Sequence, residues 1–564
     1  MTIPIVRREV LASASALEAA GFPPVLARIY AARGIVSPAE LDHRAAALPG
    51  YTALANIDRA TERLSRAIAA REPIMIVADY DADGATACAV GIRGLRAMGA
   101  NVDFIVPNRF EYGYGLTPEI VALASLRGPR LIVTVDNGIA SLDGVAAARA
   151  RGIDVLITDH HLPGAVLPDA AIIVNPNQPG CLFPSKHIAG VGVMFFVLVA
   201  LRARLRAAGA FATAAEPNLG ALLDLVALGT VADVVRLDQT NRILVEQGLS
   251  RIRDGRAHPG LAALFAAAGR ATARATSYDL GFVAGPRLNA AGRLADMSIG
   301  IRCLLADTDA EAAPLARELD RLNRERRDVE GAMQEEALAD LETTATADRF
   351  TLCLFRPEWH QGVVGIVASR LKDRYHRPAI VFARAANGEL RGSGRSINGF
   401  HLRDALDRVT KRAPTLIQRF GGHAYAAGLT IEESALPEFA AAFEETARAL
   451  LTPAHLHRTV ETDGLLAPGE LTFELARVLA GRVWGHGFAA PSFDDRFVVA
   501  GQRVVGEKHL KLSLERGAER FEAIAFNQAG PLPARIHAAY RPDINEWNGQ
   551  QSLQLVIEHW TPGD

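Results

Sequence analysis

The sequence predicts an α/β chain: a doubly wound parallel-sheet domain, a long linking helix, a second α/β domain and a C-terminal all-β domain. Three observations predict it. From Pro73 to about Asn175, short apolar runs alternate with helical segments, the pattern of a parallel sheet wound on both faces. From about 309 to 345 the chain is charge-rich, has no proline after Pro314 and no glycine except Gly331, which reads as one helix. Near the C-terminus, Leu510, Leu512 and Leu514 alternate with Lys511 and Ser513, the period of a half-buried strand. At 564 residues the chain exceeds what one core holds.

The elements follow in order. Residues 1–70 are Ala-rich, with a turn near Pro23-Pro24 and Gly34, and read as a helical lead-in. Residues 71–308 form the first α/β domain, with strands expected at 73–78, 102–106, 131–135, 154–158 and 171–174. Helices are expected at 188–207 and 219–232, the second ending at Asp233. The linking segment, 309–348, holds roughly 35 residues of helix, which would span about 50 Å at ~1.5 Å per residue. Residues 349–454 make the second α/β domain, with strands at Thr351 to Phe355 and Ala379 to Ala383 and a Gly-rich loop at Arg391 to Ser396. In the last section, 455–564, Asn548-Gly549 precedes the alternation of Leu553, Leu555 and Ile557, a hairpin signal.

Composition narrows the class. Hydrophobic residues make up 49% and charged residues 22%, values of a globular chain. The net charge of −2 is no nucleic-acid footprint by itself, and the basic cluster Arg321 to Arg327 alternates with acids, as a solvated helix face does. The four cysteines, Cys88, Cys181, Cys303 and Cys353, are far apart without C-x-x-C spacing, so free thiols in a reducing compartment are expected. No apolar region follows the first charges, and the longest apolar stretch, Val191 to Leu201, is too short to cross a bilayer. A cytoplasmic chain without a membrane partner is expected.

Three of the expected strands end in acid or imidazole: Asp79-Tyr80-Asp81-Ala82-Asp83-Gly84, Asp136-Asn137-Gly138 and Asp159-His160-His161. Alone, the first reads equally as a helix cap, the second as a turn and the third as a solvated pair. Together, at the carboxyl ends of parallel strands, they converge on one crevice. Several like charges at close range are costly without cations. Carboxylate and imidazole ligands suit manganese or magnesium, and a pair of divalent cations is expected.

These segments resemble the DHH phosphoesterase superfamily, and within it the RecJ single-strand-specific exonucleases. The resemblance also rests on Pro107-Asn108-Arg109-Phe110 running into Gly113-Tyr114-Gly115-Leu116, on Ala227 to Asp233, on Gly285-Pro286-Arg287-Leu288-Asn289-Ala290-Ala291-Gly292-Arg293, and on Gly421-Gly422-His423 with Ala426-Ala427-Gly428. It implies a 5′→3′ exonuclease on single-stranded DNA that releases 5′-mononucleotides with two Mn²⁺ or Mg²⁺ ions, in DNA repair and recombination. It implies that Asp136 bridges the metals, that Asp81 serves one and Asp83 the other, and that His160 and Asp233 complete the second. Asp79 is an expected ligand, because Val77 stands where other branches of the superfamily have a histidine. Asp159 is expected to orient His160, and His161 to face the scissile phosphate. Asn289, Arg287 and His423 line the substrate side, with an ion pair as the other reading of Arg287. Arg109, Tyr114, Ser393 and Arg395, with Gly421 and Gly422, would receive the DNA and its 5′-phosphate. The last section would be an OB-fold, with Lys508, Lys511, Phe526 and Trp547 as candidate contacts or, for the aromatics, core. A monomer is expected, and the resemblance implies work beside a single-strand-binding protein and a helicase.

Two other readings compete. A small-substrate phosphatase of the same superfamily is generally shorter and lacks the C-terminal β-domain. A non-catalytic DNA-binding subunit would have a degenerate site, whereas this chain keeps every candidate ligand.

Overall fold

The computed structural model of the chain describes residues 3–108, 111–112, 114–343, 348–385 and 388–563. Arg109, Phe110 and Gly113, named above, lie outside the described residues, as does the side chain of Trp547. The chain forms two compact units, Arg7–Asn323 with Glu461–Asp564, and Arg324–Val460 with Met1–Val6.

In the first unit, strands Pro73–Ala78 (β1), Asn101–Ile105 (β2), Leu131–Val135 (β3), Asp154–Thr158 (β4) and Ile172–Val174 (β5) form a parallel sheet of order β2-β1-β3-β4-β5. Both faces are covered, so the middle strands are continuous apolar runs, Met75, Ile76 and Val77 among them. The order reverses between β1 and β3, which opens a crevice at their carboxyl ends. Helices Ala82–Ala97 (α1), Gly190–Ala207 (α2), Leu223–Ala232 (α3) and Gly285–Leu294 (α4) surround that end. The long helix is Asp309–Thr343 (α5). Leu319 and Leu322 join the core of the first unit, and Met333, Ala337 and Leu341 that of the second.

The barrel belongs to the first unit. Its strands, Phe493–Val505, His509–Arg516, Glu519–Ala525, Arg535–Trp547 and Gln550–Pro562, close on themselves. Leu510, Leu512 and Leu514 point inward, as their alternation predicts, and Asn548 and Gly549 turn the last hairpin with positive φ of 49° and 77°. The segment before the barrel is fastened to the lead-in: Trp484 and Phe488 stack on Tyr30, and the Arg242 guanidinium lies 4.4 Å from the Phe488 ring centroid. Arg7–Asp494 and Arg33–Asp463 ion pairs add to this, at 2.8 and 2.7 Å.

The second unit holds Leu352–Phe355 (β6), helix Val364–Tyr375 (α6), Ala379–Arg384 (β7), Leu390–Arg395 (β8), Arg419–Gly422 (β9) and Ala426–Ile431 (β10), in sheet order β9-β10-β8-β7-β6. The segment Arg391 to Ser396, expected as a loop, is a central strand through Arg395. β8 pairs antiparallel with β7 on one side and β10 on the other, so its N–H groups enter the two ladders and are not available to cradle an anion. The expected surface character of Arg321 to Arg327 holds in part. Arg321 bonds Glu318 at 2.8 Å, whereas Arg326 is buried against Glu330, whose carboxylate Arg370 also reaches at 2.8 Å.

Candidate metal centre

Strand register decides the geometry. Ala78 pairs with Val135, Val135 with Thr158, and Thr158 with Val174. The residue after each strand therefore emerges in one row: Asp79, Asp136, Asp159 and Asn175. Asp136 takes a left-handed conformation, φ 62°, uncommon for a residue with a side chain. Its Oδ1 is buried, accepts no hydrogen bond among the described residues, and lies 3.1 Å from His160 Nε2.

Two helix ends complete the set. Asp81 caps α1, its Oδ1 accepting the Gly84 N–H at 2.9 Å, which places Asp83 in the first turn. Asp233 follows α3 directly. Ligand atoms of Asp79, Asp81 and Asp136 lie within 4.8 Å of one another, as do those of Asp83, His160 and Asp233, and those of Asp136, His160 and His161. His160 Nε2 is 3.5 Å from Asp233 and 3.9 Å from Asp83. All six expected ligands thus meet, with Asp136 common to two groups.

Electrostatics fit a cation pair. Burial, with Asp81 alongside, pushes Asp83 up to about 7. Burial and the neighbouring carboxylates raise Asp136 and Asp233 well above the usual carboxylate range. The helix α2 N-terminus relieves part of this, because Gly190 and Val191 donate backbone N–H groups to Asp83 at 2.6 and 2.8 Å. Carboxylate oxygens and one imidazole make a donor set for Mn²⁺ or Mg²⁺.

Asp159 differs from the expectation that it orients His160. Its Oδ1 accepts the backbone N–H groups of His160 and His161 and lies 2.8 Å from His161 Nδ1; its Oδ2 accepts the Ile139 N–H. The ring it holds is that of His161, because the chain bends at the end of β4 and carries the nearer imidazole nitrogen back over the carboxylate. Burial works against charge on His161, but the Asp159 hydrogen bond and the surrounding acids outweigh it and raise the imidazole to about 9. Tyr114, half exposed, packs edge-on against His161 and donates to the Asp136 carbonyl at 3.3 Å.

Family models match three stretches of the chain: the DHH family N-terminal domain over residues 73–230, the DHHA1 domain over 348–449 and the RecJ OB domain over 462–559. The single-stranded-DNA-specific exonuclease RecJ of Dickeya dadantii (strain 3937) is 50% identical over 555 residues, 96% of each chain. The chain belongs to the RecJ family. The RecJ of Escherichia coli (strain K12) is 49% identical over 558 residues, again 96% of both chains. The crystal structure of Thermus thermophilus RecJ in complex with Mn²⁺ superposes with a TM-score of 0.84 at 31% identity, covering 100% of this chain and 80% of that one. That enzyme's Mg²⁺ complex gives 0.78 at 30% identity, covering 100% and 79%.

The remaining candidate residues of this RecJ family member fall into two groups. On α4, Asn289 Oδ1 accepts the Ala82 N–H at 2.9 Å and so holds the start of α1. Arg287 is buried and bonded to Asp320 at 2.8 Å and to the Val283 carbonyl at 2.7 Å, the ion-pair reading. In the second unit, Ser393, Arg395, Gly421, Gly422 and His423 lie on or beside adjacent strands: Ser393 pairs with Gly428, and Gly428 with Gly421. Arg395 bonds the Ser393 hydroxyl at 3.1 Å. No acid among the described residues pairs with its half-buried guanidinium, and desolvation alone lowers its pKa. The α6 helix begins against this pair: a Cβ at Gly365 would meet Ser393 Oγ at 2.7 Å and Arg395 Nη2 at 3.0 Å.

Sequence reasoning missed Gly190, Asn175 and Asn177. The signals were a glycine opening an apolar helix, and a polar Asn-Pro-Asn at the end of the strand beside β4. In the barrel, Phe526 is exposed and edge-on to His509, so it is not core, while Lys511 lies 3.3 Å from Glu522.

Among the described residues, no helix is long and apolar enough to cross a membrane.

Proposed function

We propose that the chain is a divalent-cation-dependent 5′→3′ exonuclease that degrades single-stranded DNA to 5′-mononucleotides, in repair and recombination. The observation that carries this is the in-register row of Asp79, Asp136 and Asp159, which brings the candidate acid and imidazole ligands together at the carboxyl end of the sheet. Asp79, Asp81 and Asp136 would hold one cation, Asp83, His160 and Asp233 the other, and Asp136 is placed to serve both. Mn²⁺ or Mg²⁺ held there would supply a hydroxide nucleophile and neutralisation of phosphate charge. His161, kept charged by Asp159, faces the phosphate and gives its proton to the leaving oxygen. Asn289 fixes the turn that carries Asp81 and Asp83, and Arg287 anchors α4 through Asp320.

Polarity rests on the second unit. The Arg395 guanidinium, half-buried without an acid partner among the described residues, and the Ser393 hydroxyl take the 5′-phosphate, with Gly421, Gly422 and His423 beside them. Arg109 and Tyr114 contact the strand from the first unit. Exposed Phe526 with Lys508 gives the barrel a stacking and charged contact for the downstream strand. The free thiols Cys88, Cys181 and Cys303 are buried, which suits a reducing cytoplasm. A monomer working beside a helicase and a single-strand-binding protein completes the reading.

The test uses one oligonucleotide, labelled at either end, as single strand and as blunt duplex, with Mn²⁺, Mg²⁺ or EDTA. Labelled mononucleotide should appear first from the 5′ label on the single strand, and EDTA should abolish it. Shortening from the 3′ end, or equal rates on duplex, would overturn the proposal.

A further inference from the structure

His160 and His161 are neighbours, yet their ring centroids are only 4.5 Å apart and both rings reach Asp136. In an extended strand, neighbouring side chains point to opposite faces. The backbone must therefore leave the β conformation after Thr158, the last residue of β4, and something must hold it there. The four backbone polar groups of the two histidines show what does. Asp159 takes both N–H groups, at 2.7 and 3.1 Å. Asn177 Nδ2 donates to the His160 carbonyl at 2.7 Å, and Asn175 Nδ2 donates to the His161 carbonyl at 2.9 Å.

Both amides have a fixed orientation. Asn177 Nδ2 also donates to the Lys186 carbonyl, at 3.1 Å. Asn175, fully buried, uses its Oδ1 to accept the Asn177 N–H at 2.7 Å. The pair thus forms one rigid brace at the end of β5, alongside the bend. Each amide holds the peptide of a different histidine.

We infer that Asn175 and Asn177 are positioning residues that divide the two histidines between their tasks, Asn175 aiming His161 at the phosphate and Asn177 aiming His160 at the cation. This rests on the roles proposed above for the histidines. Supporting residues of metal ligands typically change metal affinity 10–100-fold when removed, and a misplaced charge donor costs ~10²-fold or more in rate. Neither asparagine touches a proposed metal ligand's side chain or the substrate in this account; each acts through a carbonyl.

The experiment uses the full-length Mg²⁺- or Mn²⁺-loaded protein and the variants Asn175→Ala and Asn177→Ala. Asn175→Ser and Asn177→Ser, which keep a small donor, stand in if an alanine variant does not fold. Four quantities are measured: Mn²⁺ affinity, single-strand affinity, single-turnover cleavage and the ¹⁵N-imidazole signals of the Mg²⁺-loaded protein. Asn175→Ala should lower cleavage about 100-fold with Mn²⁺ and strand affinities within about twofold, and should move the His161 signals. Asn177→Ala should weaken Mn²⁺ binding about tenfold or more and move the His160 signals. Serine variants should recover part of each loss. Unmoved imidazole signals in both variants would overturn the inference, as would a parallel loss of metal, rate and melting temperature in both. His161→Ala is the control for the underlying reading. If it still cleaves while the imidazole signals shift as expected, the catalytic role of His161 falls and the positioning assignment stands.

Discussion

Gly190 and Asp136 are packed so closely that a methyl group on Gly190 would lie 2.7 Å from both Cβ and Oδ1 of Asp136. The same glycine donates its N–H to Asp83 at 2.6 Å and opens α2, so it cannot retreat without losing that bond. Gly190→Ala should displace the carboxylate common to two ligand groups. Mn²⁺ affinity should fall about 10–100-fold, the usual effect of disturbing a ligand's support, with cleavage falling at least as far. Gly331→Ala, a helical site with nothing within 4 Å of the added carbon, should leave both unchanged. A Mn²⁺ titration of the two variants checks this.

Arg395→Ala removes a half-buried cation that has no acid partner among the described residues. Loss of one charge-assisted contact of about 1.5–3 kcal/mol corresponds to roughly 10–100-fold in kcat/KM on 5′-phosphorylated strands. Strands with a 5′-hydroxyl should be affected much less. Comparing kcat/KM on the two substrates decides it; an equal loss on both would assign Arg395 to the general backbone path.

Phe526→Ala with Lys508→Ala should raise KM on long single strands and flatten its dependence on salt, leaving kcat on short oligonucleotides near the parent value. Removing the whole barrel is a poorer test, because Trp484, Phe488 and Asp463 fasten this part of the chain to Tyr30, Arg242 and Arg33. The salt series on the point variants measures the contact without uncovering that surface.

Acid should unfold the first unit in two stages. Burial holds His43 down at about 4, below the ordinary 6.5, so it is neutral when folded; its contribution is present above about 6.5 and lost as pH falls towards 4. Burial opposes charge on Asp494, but hydrogen bonds from Arg7, Thr462 and His537 outweigh it and hold the carboxyl at about 2, against 3.8. That contribution is present above about 4 and lost as pH falls towards 2. Melting temperatures measured from pH 7 to 3 should fall in both windows. Asp494→Asn should cost about 2 kcal/mol at neutral pH and remove the lower stage.

Much of the first sheet is legible in the sequence because parallel strands buried on both faces are uninterrupted apolar runs, and each of the three that carry ligands stops at an acid or imidazole. β8 is less legible. Its Gly392 and Gly394 suggest a loop, yet they lie against Phe382, Leu402 and Ile380, where a side chain would collide, and pairing on both edges overrides local preference. Adjacency in sequence could not show that the Asp159 side chain turns to His161, since that depends on the bend after β4. Nor could Asn175-Pro176-Asn177, which reads as a turn, reveal that its amides hold two carbonyls on the neighbouring strand's end.

The most direct test is metal stoichiometry in Asp136→Ala, measured beside single-turnover cleavage of a 5′-phosphorylated single strand. Asp136 belongs to two of the three clusters of ligand atoms, one with Asp79 and Asp81 and one with the two histidines. Two Mn²⁺ per chain are expected in the parent and fewer than one in the variant, with cleavage reduced by at least about 10³-fold while the protein stays folded. A folded Asp136→Ala protein that keeps both ions and cleaves at the parent rate would contradict that expectation.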